Sequence, residues 1–512
     1  MKRVLAVLAC VALTACGSTV QVRGTVASGL GDSGTNGTGL GSSGSSAGGT
    51  TGSTSTAGGG LGGSSSTGAT GGTTGPGTGQ QGTAGSGGTS GQGGTSSAGD
   101  IPVSGPGWDA KTVYIGITTQ QDVQSAAQTV GVNSADSGDQ KADVEAMISH
   151  FNAEGGLFGR KIKGLYFDTK TTGDAQVQSQ AACSYFTQDN HVIAVYAAAL
   201  VSDTDTFRAC LIKQHIPILA GGDQAIDDKV FADLKGYYNL MPFPSWSRFA
   251  RPFADRLAAQ KYFTGWDTTL GQAGTAATET GIVCADTPVG RRVGALMTRE
   301  LTRVGHAPKD TLYYASSNPD VSGYILKFKS DNITHVMMCD IGLFVFATEA
   351  ESQHYRPRYG VSTFNTPVLF LQGVVPAAQL VGAIGVGYDP TLDVDAQHDP
   401  TVSAMPAIAT CLAIAKKSGV VYPQDKRFAH GVLYDTCDLI TLIITAAKRI
   451  HALDGPSIKE GIGLVGPTFS SAVTLRAGLS PTQHANPAGT RDLAYDTSCQ
   501  CFQYHGGTVP MP

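Results

Sequence analysis

The chain has 512 residues, and 35 Lys and Arg against 40 Asp and Glu leave a formal charge of -5 with no basic cluster. This balance excludes a nucleic-acid surface and a polybasic membrane patch, both of which need concentrated positive charge. Glycine is abundant, 68 in all, but much of it falls between residues 28 and 107, so whole-chain composition misdescribes the rest. About four hundred residues follow Trp108, enough for two α/β lobes with proper cores.

Lys2 and Arg3 precede a short apolar run from Val4 to Leu13. About a dozen apolar residues are too few to span a bilayer as a helix, and the form is that of a cleaved export signal. The next residues, Leu13-Thr14-Ala15-Cys16-Gly17, resemble a bacterial lipobox. The resemblance implies a signal peptide over 1–15 and a lipidated Cys16, with all that follows outside the cytoplasm and anchored to the cell membrane. Acyl chains contribute about 0.8 kcal/mol per buried CH₂, so several on one Cys hold a domain there durably. From Ser28 to Gly107 the residues are mostly Gly, Ser, Thr and Ala, with Asp32 and Asp100 the only charges. Such a segment cannot offset its conformational entropy by burial, so 16–108 reads as a disordered, flexible tether with a span of roughly 50 Å. Its Ser and Thr density leaves glycosylation open.

Thr112 to Thr118 is a β-branched run and predicts the first strand. Val144, Met147, Ile148 and Phe151 then recur at i, i+3, i+4 and i+7, one apolar stripe on a helix from about Gln140 to Ala153. Gly155 and Gly156 stop it, because Gly takes the left-handed conformation that closes a helix C-terminus. Leu157 to Arg160 reverse the chain into a strand over Ile162 to Phe167, ending at Asp168. Helix, Asn152, double Gly, hydrophobe, Gly159-Arg160-Lys161, strand and acid together resemble the N-A-x-G-G-I-x-G-R-K-I…D segment of type I periplasmic substrate-binding proteins. These form the leucine/isoleucine/valine-binding class that serves ABC importers.

Further strands are expected at Val192 to Tyr196 and Ile216 to Leu219, then at Gly281 to Ala285, Thr311 to Ala315, His335 to Cys339 and Pro367 to Leu371, with helices between them. Alternation at this spacing argues for parallel strands with right-handed crossovers. The fold class is therefore α/β. The resemblance makes it the two-lobed type I periplasmic-binding-protein fold, each lobe a doubly wound, mainly parallel sheet. Pro242, Phe243, Pro244 and Trp246 fall where that family first crosses between lobes. Long helical patterns over Val402 to Lys416 and His430 to His451 match its return to the first lobe, and Ala494-Tyr495 with Phe502 to Tyr504 its closing strands. The domain then covers 109–512, lobe 1 being about 109–243 and 376–465 and lobe 2 about 244–375 and 466–512. The most apolar window, Leu439 to Ala447, is flanked by Asp438 and Lys448 and is too short to span a membrane.

Eight of the ten Cys remain after Cys10 and Cys16 are set aside, an even number in an exported domain, which favours disulfides. With strand order 2-1-3-4 the helices carrying Cys183 and Cys210 pack side by side, and these two are expected to pair. Cys411 and Cys437 on the late helices are a second candidate pair. Cys284 and Cys339 end neighbouring strands and could bond or stay as buried thiols; Cys499 and Cys501 could close only a tight ring.

The eleven His are scattered, with no His-x-x-x-His pair, so no zinc ligand set is apparent. Gly385-Val-Gly387 lacks the third Gly and helix of a dinucleotide fingerprint, and no nucleophile elbow occurs in the folded region. No catalytic residue, cofactor or metal is expected, and the chain does not read as an enzyme. Ligands of doubly wound sheets sit at strand C-termini. The expected ligand-binding residues are Gln120, Gln121, Tyr196, Ser202, Asp203, Thr204, Gly222 and Asp223 in lobe 1, and Asp286, Asp340 and Gln372 in lobe 2. The resemblance implies a monomer that closes over a small organic solute, such as an amino acid, amide, polyol or amine, and passes it to a membrane permease. The loops carry acids and no Lys or Arg, which tilts the expectation from a branched-chain amino acid towards a neutral or cationic solute. A ligand-sensing lipoprotein for a membrane receptor and a surface interaction protein are the alternatives.

Overall fold

The computed structural model describes residues 101–120, 122–128, 136–198, 204–221, 225–315, 321–370 and 374–511. Cys16 and the tether lie outside the described residues.

The first sheet has the order β2-β1-β3-β4-β5, all parallel, built from β1 (Thr112–Thr119), β2 (Lys161–Asp168), β3 (Val195–Ala197), β4 (Ile218–Ala220) and β5 (Tyr238–Leu240). Helix α1 (Gln140–Ala153) is capped by Asp139, whose carboxylate accepts the Ala142 N–H, and buries Val144, Met147, Ile148 and Phe151 as its periodicity demands. Gly155 and Gly156 end it at φ 101° and 71°. A Cβ on Gly156 would lie 2.0 Å from the Arg160 carbonyl oxygen, so only Gly fits. Phe158 and Gly159, both at positive φ, make the two-residue reversal closed by mutual Leu157–Arg160 backbone hydrogen bonds. Asn152 then grips the new strand: its amide accepts the Ile162 N–H at 2.7 Å and donates to the Ile162 carbonyl at 2.9 Å. The motif is thus a backbone clamp between helix and sheet.

Helices α2 (Ala175–Ser184) and α3 (Asp205–Lys213) pack together, and the disulfide Cys183–Cys210 joins them across a Cα separation of 6.2 Å. This is the expected pair, on the expected strand order.

The second sheet runs β12-β11-β10-β9-β8-β6-β7. Its parallel part is β6 (Thr280–Ala285), β7 (Asp310–Tyr314), β8 (His335–Met338), β9 (Arg358–Ser362) and β10 (Ile384–Gly387). An antiparallel ribbon, β11 (Gly489–Asp496) and β12 (Cys501–Pro510), closes one edge. Helix α4 (Trp246–Ala259) packs on α5 (Pro288–Arg303) and on β10, and α6 (Ser322–Ser330) packs on α7 (Leu343–Ser352). The disulfide Cys284–Cys339 links β6 to the residue after β8, and Cys499–Cys501 closes the turn of the ribbon.

The strand expected at Pro367 to Leu371 is corrected. Thr366 turns at φ 50° and Pro367–Leu369 is a helical turn; the strand is Arg358–Ser362. Residues 371–373 lie outside the described set. The second interlobe crossing also falls later than 376, because Gly360 to Ser362 pair with Ile384 to Val386 and keep them in the second sheet. Lobe 1 then regains α8 (Pro406–Lys417), α9 (Arg427–Ile450) and α10 (Gly455–Val465), with α8 and α9 on α1, and Cys411–Cys437 bonds α8 to α9. Within residues 469–488 Ala485 bridges Leu240 of the first sheet, while the Pro487 and Ala488 carbonyls accept from Arg248 and from the Met511 N–H; the ribbon of the second sheet starts at Gly489 rather than 466. Among the described residues only α9 is long and apolar enough to cross a membrane, and it is a core helix with 13 of its side chains buried against both flanking helices.

Candidate functional site

The chain leaves lobe 1 just past the C-terminal end of β5 and leaves lobe 2 just past that of β10; β11 begins beside the same end of β10. The C-terminal edges of both sheets therefore border the junction between the lobes. An aromatic cluster fills the crossing: Trp246 stacks on Phe364 at 4.5 Å, Phe243 on Phe364 at 5.3 Å, and Tyr388 meets Phe249 edge-on at 5.2 Å. These rings fix where one lobe is tethered to the other.

On the lobe 2 edge, Asp340 is buried and fully satisfied. It accepts the Tyr314 hydroxyl at 2.7 Å, the Gly342 N–H at 2.9 Å and the Ala285 N–H at 3.2 Å. Burial raises its pKa, and those three donors pull it back down. Asn365 donates to the Asp340 carbonyl at 2.6 Å and so ties β9 to the end of β8. Asp286 is exposed on the rim, where Arg291 pairs with it at 2.7 Å.

On the lobe 1 edge, Gln120 is buried and its N–H donates to Gln140. Tyr196 is buried with its hydroxyl 3.0 Å from Thr436 of α9. Burial first, then the nearby charge of Asp435, drives the Tyr196 pKa upward, so the phenol stays protonated. Thr204 faces inward: it caps α3 and its hydroxyl donates to Ser179 at 2.9 Å, which leaves it a structural cap. Gln121, Ser202, Asp203, Gly222, Asp223 and Gln372 lie outside the described residues.

Sequence reasoning missed Asp435. It sits on α9, and its carboxylate lies against Gly221 at the end of β4, where a Cβ would come within 2.9 Å of Oδ2. Its Oδ1 is shielded and has no hydrogen-bond partner. Burial raises its pKa well above the usual carboxylate range, and the charges of Asp389 and Asp438 add to that. Asp389, just past β10, is itself buried and raised, so acids from both lobes face the junction. A helical position between apolar neighbours carries no mark of cleft exposure, and only strand-end residues were legible as candidates. Among the described residues no group of His, Cys, Asp or Glu is arranged to hold a metal ion.

No family model matches the sequence, and no curated protein matches it. Solved structures do. A branched-chain amino acid ABC transporter protein from Thermus thermophilus with bound valine superposes at TM-score 0.55 and 14% identity, covering 78% of this chain and 96% of the other. A type 1 periplasmic binding protein from Bordetella pertussis gives 0.56 and 14%, covering 78% and 100%. A solute-binding protein of an ABC transporter from Rhodopseudomonas palustris, complexed with 3,4-dihydroxybenzoic acid, gives 0.55 and 12%, covering 78% and 98%. The chain therefore has the type I periplasmic-binding-protein fold of solute-binding proteins of ABC transporters.

Proposed function

We propose that this protein is an extracytoplasmic solute-binding lipoprotein that closes two lobes over a small organic solute and delivers it to an ABC importer. The observation that carries the reading is topological: two parallel sheets present their C-terminal edges to one junction and are joined there by three connections. Such an arrangement permits hinge closure with ligand trapped between the edges, a two-state change that a permease can read. The lipobox-like Cys16 and the tether supply the anchor in this reading. In this reading Gln120, Tyr196, Asp286, Asp340 and Asp435 border the gap, and Asp435 and Asp389 favour a neutral or cationic solute, because a shielded carboxylate gains from a partner.

Thermal-shift and tryptophan-fluorescence screening of a metabolite library tests the reading. Saturable stabilisation with a change in emission is expected for at least one neutral or cationic solute. Absence of any ligand, with scattering showing one unchanging lobe separation, would sink it. Submicromolar leucine, isoleucine or valine binding in calorimetry would instead reverse the ligand preference. Ligand binding without a transport defect on deletion would favour a sensing role.

A further inference from the structure

A groove lies beside the second interlobe connection, where the chain after β10 passes the β11–β12 ribbon. It is an open groove of about 610 Å³, in volume within the range of small-molecule sites. Pro400, Met405, Pro406 and Leu475 give it an apolar wall, and Arg491 supplies its one cation. Arg491 stands at a register irregularity of the ribbon, between Thr490 and Asp492, the kind of bulge that re-aims a side chain. Its guanidinium is fixed on two sides: it stacks 4.9 Å from the Tyr504 ring centroid, and Nη1 donates to Thr401 at 2.7 Å.

What it lacks is a counter-ion. Arg256, Arg292 and Arg356 each meet a carboxylate through two nitrogens, with Asp492, Asp227 and Glu351. Among the described residues Arg491 makes no ion pair, and its buried Nε has no hydrogen-bond partner. The acid in the wall, Asp399, is already engaged: Oδ1 accepts the Thr401 N–H and Oδ2 the Tyr504 N–H, both at 2.8 Å. A half-buried guanidinium held rigid without an anion, beside an apolar wall, matches a carboxylate on a compact apolar body.

We propose that this groove is a small-molecule site, distinct from the strand-end residues of the proposed cleft, that binds an organic monocarboxylate through Arg491. The probe is benzoate, read by methyl NMR of the full chain with labelled methionine, where Met405 reports the groove and Met241, after β5, reports the first crossing. The expected result is a saturable shift of the Met405 methyl with benzoate. Benzyl alcohol and inorganic phosphate should produce at least tenfold weaker effects, since one lacks the charge and the other the apolar body. Arg491→Ala should weaken the benzoate response at least tenfold, and Ala404→Phe, which fills the groove and leaves Arg491 in place, should abolish it even if Arg491→Ala does not fold. No saturable shift at Met405, a shift confined to other methionines, an equal response to benzyl alcohol, or a response that survives Ala404→Phe would each overturn the proposal.

Discussion

The two sheet edges at the junction carry shielded acids of opposite character. Asp340 at the lobe 2 edge gathers three donors from β6, β7 and its own turn, whereas Asp435 at the lobe 1 edge leaves one oxygen unpartnered. A carboxylate surrounded by donors organises the strands that supply them. One without donors is a net burden in the apo protein and gains only when something outside the chain meets it. The difference marks Asp340 as framework and, in the proposed reading, leaves Asp435 for recognition.

The largest effect is expected where the framework is cut. Asp340→Ala strands a tyrosine hydroxyl and two backbone N–H groups, and should cost about 3–5 kcal/mol in urea unfolding. A cost below about 1 kcal/mol would remove the contrast with Asp435. Next comes the disulfide of lobe 1. Replacing Cys183 and Cys210 together with Ser opens a loop with a sequence separation of 27, worth about 3–4 kcal/mol on loop entropy. The same change at Cys499 and Cys501, separated by 2, should cost well under about 1 kcal/mol, and equal losses in calorimetry would break the argument.

pH sharpens the comparison further. Burial raises Asp143, Asp393 and Asp438 to about 7 each. A raised carboxylate contributes stability that is full below its unfolded pKa of about 3.9 and is lost as pH climbs through the folded value. Asp136 and Asp395, where burial pushes up but Lys, Arg, His and backbone donors outweigh it, and Glu351, lowered by Arg356, act in reverse and lose their contribution as pH falls below about 4. Calorimetric stability should therefore peak near about pH 4 and fall as pH rises from about 4 to about 7, with a shallower fall in Asp143→Asn. A flat profile from about pH 4 to about 7 would contradict these assignments.

The smallest effect concerns Asp435. Asp435→Asn should leave stability unchanged or raise it by up to about 1 kcal/mol at pH 7, since an amide is easier to bury than a carboxylate. Any cationic solute found by screening should lose about tenfold in affinity. Destabilisation above about 2 kcal/mol would move Asp435 to the framework side.

Much of the fold was legible because its elements are locally marked. The i, i+3, i+4, i+7 stripe and paired glycines gave α1, its turn and the strand β2 that follows, and β-branched residues gave β1 and β6. The failures are equally physical. Pro367-Val-Leu-Phe has a strand's composition, but left-handed Thr366 and the fixed φ of Pro367 start a helical turn. Ile384-Gly-Val-Gly387 looks too glycine-rich for a strand, yet a Cβ on Gly385 would stand 1.9 Å from the Val361 carbonyl oxygen. Neighbouring backbone made that glycine necessary, and the neighbour is remote in sequence. The site was less legible for the same reason: Asp435 meets Gly221 only after the chain has crossed between lobes twice.

That double crossing also sets a schedule. The strands of the first sheet are complete at Leu240, but α9, which covers α1, begins at Arg427, 187 residues later (427 minus 240). At synthesis rates of about 5–20 residues per second, the apolar face of α1 waits roughly 10–40 s for its cover. Helix α1 thus lacks one of its packing partners throughout that interval, and the half-made lobe cannot finish from its own early sequence. Late completion keeps such a chain loosely structured until its last sixth emerges, a state compatible with passage through an export channel and costly for a chain that had to fold as it was made.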